Sequence, residues 1–343
     1  MRAYTVYNRM LLPTVFRTME EDYRHLKEAV QVWDVSCERQ VELRGPDAGR
    51  LMQMLTPRDL SGMEEGMCYY VPTVDETGGM LNDPVALKLA DDRYWVSIAD
   101  SDLLLWVKGL AYAWHLDVIV DEPDVSPLAI QGPKADDLAA AVFGDAVRDL
   151  RFFRYGRFEF GGAMMLVARS GYSKQGGFEV YVEGFEKGMP LWNALMEAGQ
   201  GMDVHAGCPN TIERIEGGLL SYGNDMTRDN TPHECGLGRF CSTEKAIGCV
   251  GRDALLRVAK EGPVKQVRAI SIEGDIPSSD RLWPVVSNGK VVGQVTSAAR
   301  SPDFDTNVAI GMIRMTHWDE GTRVEVETQD GLRAATVHEN FWN

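Results

Sequence analysis

One device occurs twice in this 343-residue chain and limits what it can fold into. Gln40-Val41-Glu42-Leu43-Arg44 alternates like a strand, Gly45-Pro46 breaks it, and Ala48, Leu51, Met52 and Leu55 continue at helical spacing. Leu128-Ala129-Ile130-Gln131 is again strand-like, Gly132-Pro133 breaks it, and Ala135, Leu138, Ala139 and Val142 continue as a helix. Pro at a first helical position loses no hydrogen bond, so both corners read as strand-to-helix turns. A third unit predicts a strand over 178–182 and a helix over 188–198. Between these lie a strand over 94–98, a helix over 102–114 and a strand over 118–120. Upstream, Tyr23, Leu26, Ala29, Val30 and Trp33 draw one apolar stripe and predict a helix over 20–33. Strands and helices alternating at short spacing, with an internal echo, describe duplicated α+β units.

The pattern changes near Gly262-Pro263. Beyond it, short strands are predicted over 267–272, 285–287, 290–295, 308–313 and 323–327. Asn288-Gly289 between two apolar runs signals a two-residue hairpin, and Val324-Glu325-Val326-Glu327 alternates cleanly. We therefore expect an α+β region over residues 1–261 and an antiparallel β-barrel or sandwich over 262–343.

Composition narrows the function. Thirty-five basic against 51 acidic residues give a net charge of −16, a field that repels phosphate backbones and anionic lipid. No apolar run reaches the roughly 18 residues of a membrane helix, and Met-Arg-Ala-Tyr-Thr-Val lacks the apolar core of a secretion signal. A cytoplasmic protein is expected, with a small molecule rather than nucleic acid or membrane as its partner. The six cysteines are scattered without a C-x-x-C pair. His233-Glu234-Cys235 is the one local cluster of potential metal ligands, short of the three or four separate ligands a site needs, and buried reduced thiols are the plainer reading. Phosphate-loop, dinucleotide and nucleophile-elbow motifs are absent from the sequence.

Two stretches could carry chemistry. In Asp75-Glu76-Thr77-Gly78-Gly79-Met80-Leu81-Asn82-Asp83-Pro84 the Gly pair marks a turn, and Asn82-Asp83 opens a strand-like 85–89. The polar pair either points into a cleft or belongs to a hairpin with a solvated or self-capping Asp. In Arg169-Ser170-Gly171-Tyr172-Ser173-Lys174-Gln175-Gly176-Gly177-Phe178-Glu179-Val180-Tyr181, Glu179 and Tyr181 share one strand face. They are either a ligand wall or ordinary solvent-facing residues.

With Thr5 to Met10, Trp33-Asp34-Val35-Ser36-Cys37-Glu38-Arg39-Gln40, Ser97 to Asp102, Cys208 to Asp225 and His233 to Leu237, these stretches resemble the folate-dependent glycine-cleavage T-protein superfamily over nearly the whole chain. Within it, Trp-Asp-Val-Ser-Cys-Glu-Arg-Gln and Ser-Lys-Gln-Gly-Gly are most similar to the dimethylsulfoniopropionate (DMSP) demethylases.

The resemblance implies two interlocked ferredoxin-like units and a C-terminal barrel arranged as a three-domain ring, with tetrahydrofolate as cofactor. It implies methyl transfer from a sulfonium to folate N5, giving methylthiopropionate and 5-methyltetrahydrofolate. Carried over by position, Asp83 is the catalytic carboxylate near N5. Glu179 and Tyr181 bind the cofactor, Tyr172 lies against pterin or substrate, and Tyr70, Ser97 and Lys174 line the substrate side. No metal is implied, and a homodimer is left open.

Departures are also visible. The T-protein Ala-Arg-Asp reads Pro209-Asn210-Thr211 here, and its Asp-Asp reads Asn82-Asp83. An extra N-terminal segment and a Trp in place of Tyr172 distinguish related demethylases. The alternatives are another onium or N-methyl donor (glycine betaine, dimethylglycine), aminomethyl transfer, or a non-enzymatic folate-binding role in iron–sulfur maintenance. Lys245-Ala246-Ile247-Gly248-Cys249-Val250-Gly251-Arg252 partly echoes the motif of that last class.

Overall fold

The computed structural model describes residues 1–242, 247–279 and 281–342, so Lys245-Ala246 of the iron–sulfur-type stretch lies outside the described residues. By contacts the chain divides into two compact units. The first comprises Met1–Leu55, Leu60–Val71 and Asn82–Asn210; the second comprises Thr56–Asp59, Pro72–Leu81 and Thr211–Asn343.

The first unit is built on two sheets. One has five antiparallel strands in the order Ile119–Asp121, Gln40–Arg44, Arg93–Ser97, Val85–Ala90, Cys68–Tyr70. The other has six, in the order Tyr155–Phe160, Ala163–Ala168, Gly177–Glu183, Val125–Gln131, Val30–Asp34, Val204–Gly207, with only the last pair parallel. The repeated corners are equivalent. Gly45 has φ +140° and a Cβ there would sit 2.7 Å from Asp117 O; Gly132 has φ +125° and a Cβ would sit 2.5 Å from Ala29 O. Neither position admits a side chain, and each corner leads into a helix, Ala48–Leu55 or Ala135–Phe143.

The predicted helix over 20–33 is corrected. It ends at Glu28, and Val30–Asp34 is a strand with its first four residues buried. Spacing of three and four fits a helix, but Val-Gln-Val-Trp also suits a strand buried on both faces, and pairing with Val125–Gln131 and Val204–Gly207 decides it. Because this strand joins the six-stranded sheet while Gln40–Arg44, a few residues on, joins the five-stranded one, the two α+β halves are interlocked.

Val32, Ile130, Phe178 and Val180 of the six-stranded sheet pack against Leu138, Leu191 and Leu195 of the helices. On its other face Leu166, Ala168 and Tyr181 meet Cys68, Leu87 and Trp95 of the five-stranded sheet. Gly177–Glu183 is therefore buried on both faces, and its Glu179–Tyr181 face is not a solvent face.

In the second unit, Lys265–Ile272, Thr306–Arg314, Lys290–Ser301, Trp283–Ser287, Arg323–Thr328 and Gly331–His338 close into a barrel around Ile270, Trp283, Val295, Ile313, Val326 and Val337. Asn288 (φ +50°) and Gly289 (φ +73°) form the hairpin turn. The last strand, Gly331–His338, was not predicted and is the one that closes the cylinder on Lys265–Ile272. The barrel begins at Lys265, whereas the compact unit containing it also takes in Thr211 onward, 56–59 and 72–81. Among the described residues no helix is long and apolar enough to cross a membrane.

Candidate active site

Four strands of the five-stranded sheet end in one row. Gln40 lies opposite Ser97, Ser97 opposite Val85, and Val85 opposite Tyr70. Just beyond the row, in the loops leading into two of these strands, come Glu38 and Asp83. Tyr70 Oη donates to Asp83 Oδ2 at 2.7 Å. Gln40 Nε2 donates to Glu38 O at 2.7 Å and to Ser97 Oγ at 3.0 Å, tying the Glu38 loop to the row. The turn Asn8-Arg9, with both residues at positive φ, joins Ala3–Tyr7 to Met10–Val15. Asn8 Nδ2 donates to Cys37 O at 2.9 Å and Asn8 Oδ1 accepts from Ser101 N at 3.1 Å, which brings Tyr7 to the same place.

The six-stranded sheet contributes Glu179 and Tyr181, both buried. Ser170 Oγ donates to Glu179 Oε2 at 2.5 Å. The loop 169–176, which carries Ser170, is held by Gln131. Its Oε1 accepts from Ser173 Oγ at 2.6 Å and its Nε2 donates to Ser170 O at 3.2 Å. A Cβ at Gly171 would lie 2.0 Å from Gln131 Nε2, so the loop carrying Tyr172 reaches its anchor only because that residue is glycine. Arg169 Nη2 donates to both carboxylate oxygens of Asp136, at 2.9 and 3.0 Å.

These groups act on one another. Burial pushes the Glu38 carboxyl well above its usual range, and Glu179 and Asp83 push it further. Burial also raises Glu179, with the hydroxyls of Ser170 and Tyr181 pulling back. Tyr7 is raised by burial, then by Glu38, Asp83 and Tyr172. Tyr181 is raised by burial, then by Glu179, Cys68 and Glu38. Cys37 is pushed up to about 12 by burial and by Glu38, so it carries no thiolate at neutral pH. Among the described residues neither Glu38 nor Glu179 has an ion-pair partner. The site thus presents carboxyls and protonated phenols. It can accept N–H donors and accommodate a cation, and it offers no activated nucleophile of its own.

Of the residues expected from sequence, the structure brings together Tyr70, Asp83, Ser97, Tyr172, Glu179 and Tyr181. Lys174 is exposed on the loop. Glu38, Tyr7, Gln131 and Ser170 were not assigned as site residues, although Glu38 stood within the Cys-Glu-Arg-Gln stretch. Asn82 is structural: its Nδ2 donates to Ala99 O and Ser101 Oγ while its Oδ1 accepts from Ala99 N, a donor–acceptor pair an ionised Asp could not supply. Asn210 is buried and donates to Met19 O at 3.0 Å. Asp75 accepts from Thr77 N and Gly79 N, the self-capping alternative for that turn. Glu234 likewise turns back to its own loop, where Oε2 accepts from Thr231 N.

The metal-capable triplet that converges among the described residues is His25, Asp203 and His205. The two imidazoles stack at 4.0 Å and 18°, and His25 Nε2 lies 2.8 Å from Asp203 O.

An interlocked α+β unit followed by a closed six-stranded barrel, with a carboxyl–tyrosine site on the former, defines a known class. The GCVT N-terminal domain matches residues 3–245 and the glycine cleavage T-protein C-terminal barrel domain matches 265–342, and the chain belongs to this family. The fold is that of the glycine cleavage system aminomethyltransferase T from Bartonella henselae, with TM-score 0.87, 23% identity and coverage of 99% of this chain and 94% of that one.

Among relatives, the chain is 62% identical to the dimethylsulfoniopropionate demethylase DmdA of Ruegeria pomeroyi, over 99% of this chain and 93% of that protein. It is 30% identical to the aminomethyltransferase of Symbiobacterium thermophilum, over 96% of this chain and 91% of that protein.

Proposed function

We propose that this chain is a tetrahydrofolate-dependent demethylase that moves a methyl group from the sulfonium of DMSP to N5 of tetrahydrofolate, releasing methylthiopropionate and 5-methyltetrahydrofolate. The observation that carries the reading is the 62% identity to the demethylase over 99% of the chain, set against 30% to an aminomethyltransferase. The site chemistry supports it. A sulfonium methyl is already activated because its leaving group is a neutral thioether, so the protein needs to align the reacting atoms rather than supply a strong base.

Tetrahydrofolate fits the residues present. Glu179 is a buried carboxyl with no ion-pair partner among the described residues, one oxygen held by Ser170. That leaves acceptor capacity for paired pterin N–H groups, the geometry a carboxylate suits. Bound there, tetrahydrofolate supplies the nucleophilic nitrogen. Tyr181 backs Glu179, and Tyr172 offers a face to pterin or methyl donor. Tyr70 orients Asp83 toward N5 and, with Ser97, lines the donor side; Lys174 is the candidate cation for the donor's carboxylate.

The test is anaerobic incubation of the purified protein with tetrahydrofolate and DMSP, read by mass spectrometry. Equal amounts of 5-methyltetrahydrofolate and methylthiopropionate are expected. Bound tetrahydrofolate without turnover would overturn DMSP as the donor.

A further inference from the structure

Three carboxyls approach one another at this site, and they are not equally provided for. Glu179 accepts from Ser170, and Asp83 accepts from Tyr70. Among the described residues no donor reaches the Glu38 carboxylate. Yet the Glu38 backbone is held firmly. Its N donates to Val35 O at 2.8 Å, its O accepts from Gln40 Nε2, and the preceding carbonyl accepts from Asn8. The neighbouring cation, Arg39, is turned away into an ion pair with Glu122. The side chain is only half-buried, yet burial is the largest influence on it, the condition of a group lining a recess rather than sealed in a core. Glu38 lies two residues before Gln40, just beyond the row of Gln40, Ser97, Val85 and Tyr70, as Asp83 lies two residues before Val85.

We infer that Glu38 is a specificity-determining residue of the methyl-transfer reaction, its carboxylate serving with Asp83 as the counter-charge of a cationic methyl donor. This rests on the reading under Proposed function. An ionised Glu38 facing Asp83 and Glu179 is unfavourable on its own, and a cation relieves the repulsion. Transfer then reverses the preference. The N5 lone pair forms the new N–C bond, the C–S bond breaks with its electron pair going to sulfur, and the proton carried by N5 leaves to solvent. The donor arrives as a sulfonium and leaves as a neutral thioether, so the attraction that bound it is withdrawn. Glu38 therefore discriminates between substrate and product as well as between charged and neutral donors.

The experiment compares wild type with Glu38→Gln and Glu38→Asp. DMSP and methylthiopropionate binding are measured by calorimetry without tetrahydrofolate, tetrahydrofolate binding by fluorescence, and turnover by mass spectrometry. In Glu38→Gln, DMSP affinity is expected to fall at least about tenfold while methylthiopropionate and tetrahydrofolate affinities stay within about twofold. Glu38→Asp, which keeps the charge, is expected to recover part of the loss. Unchanged DMSP affinity in Glu38→Gln, or equal weakening of DMSP and methylthiopropionate, would overturn the inference, the second because a merely structural residue affects both. Wild-type protein that binds DMSP without transferring its methyl group would overturn the functional reading instead.

Discussion

Asp225 of the barrel-containing unit and the Glu38 and Glu179 carboxyls of the first unit are provided for in opposite ways. In the barrel-containing unit Asp225 is fully buried and completely served. Arg214 Nη1 reaches Oδ2 at 2.7 Å, Ser221 N donates to Oδ2 at 2.9 Å, and Thr296 and Ser297 hydroxyls each donate to Oδ1 at 2.7 Å. In the first unit, among the described residues, Glu179 has hydroxyls and no cation, and Glu38 has neither. Burying a carboxylate is costly wherever it happens, so the difference lies in who supplies the compensation. At Asp225 the protein does, and the result is architecture. At Glu38 and Glu179, on the proposed reading, a ligand does, and the result is a binding site.

The comparison can be broken first where it predicts the largest effect. Arg214→Ala leaves Asp225 buried without its counter-ion and should cost about 3–5 kcal/mol of stability, the usual loss when one partner of a buried pair is removed. Denaturant unfolding measures it, and a loss under about 1 kcal/mol would mean that Asp225 is no more committed to the fold than the site acids are. Glu179→Ala should do the reverse. Folate affinity is expected to fall by about 1.5–3 kcal/mol, the range of hydrogen bonds to a charged group, with no loss of stability in the ligand-free protein. Folate bound as tightly as by wild type would remove Glu179 from the cofactor site.

What sequence could reveal follows the same division between local and assembled features. The corners at Gly45-Pro46 and Gly132-Pro133, the Asn288-Gly289 turn and the shared face of Glu179 and Tyr181 are set by backbone conformation and a period of two, both readable within a few residues. Val30–Asp34 was misread because its apolar spacing satisfies two periods, and the choice is made by strands far away in the chain. Gly331–His338 was missed because Gly-Leu-Arg-Ala-Ala has little strand character until it pairs with Arg323–Thr328 and Lys265–Ile272. Glu38 lies in a motif visible in the sequence, but its place in the site is not. Its significance depends on a row running through Gln40, Ser97, Val85 and Tyr70, drawn from four separate strands. Gln131 was likewise read only as the end of a strand, since its partners Ser170 and Ser173 lie some forty residues on.

The smallest effect is the one that separates a binding-site acid from a structural one most directly. Glu38 has its carboxyl raised in the folded protein, so the native state holds more protons than the unfolded chain above the ordinary carboxylate range. The stability associated with this group is full below the unfolded value, and it is lost as pH rises through the folded one. Replacing it with the uncharged isostere Gln removes that penalty. Ligand-free Glu38→Gln should therefore melt at the same temperature as wild type near pH 4 and above it near pH 8, the gap widening with pH. DMSP should narrow the gap by stabilising wild type more than the variant, because the variant gains only the Asp83 ion pair on binding and wild type gains the Glu38 one as well. A gap that is constant with pH would mean that Glu38 is not held out of its ordinary range by its neighbours, and it would place Glu38 with Asp225 among the acids the protein itself has satisfied.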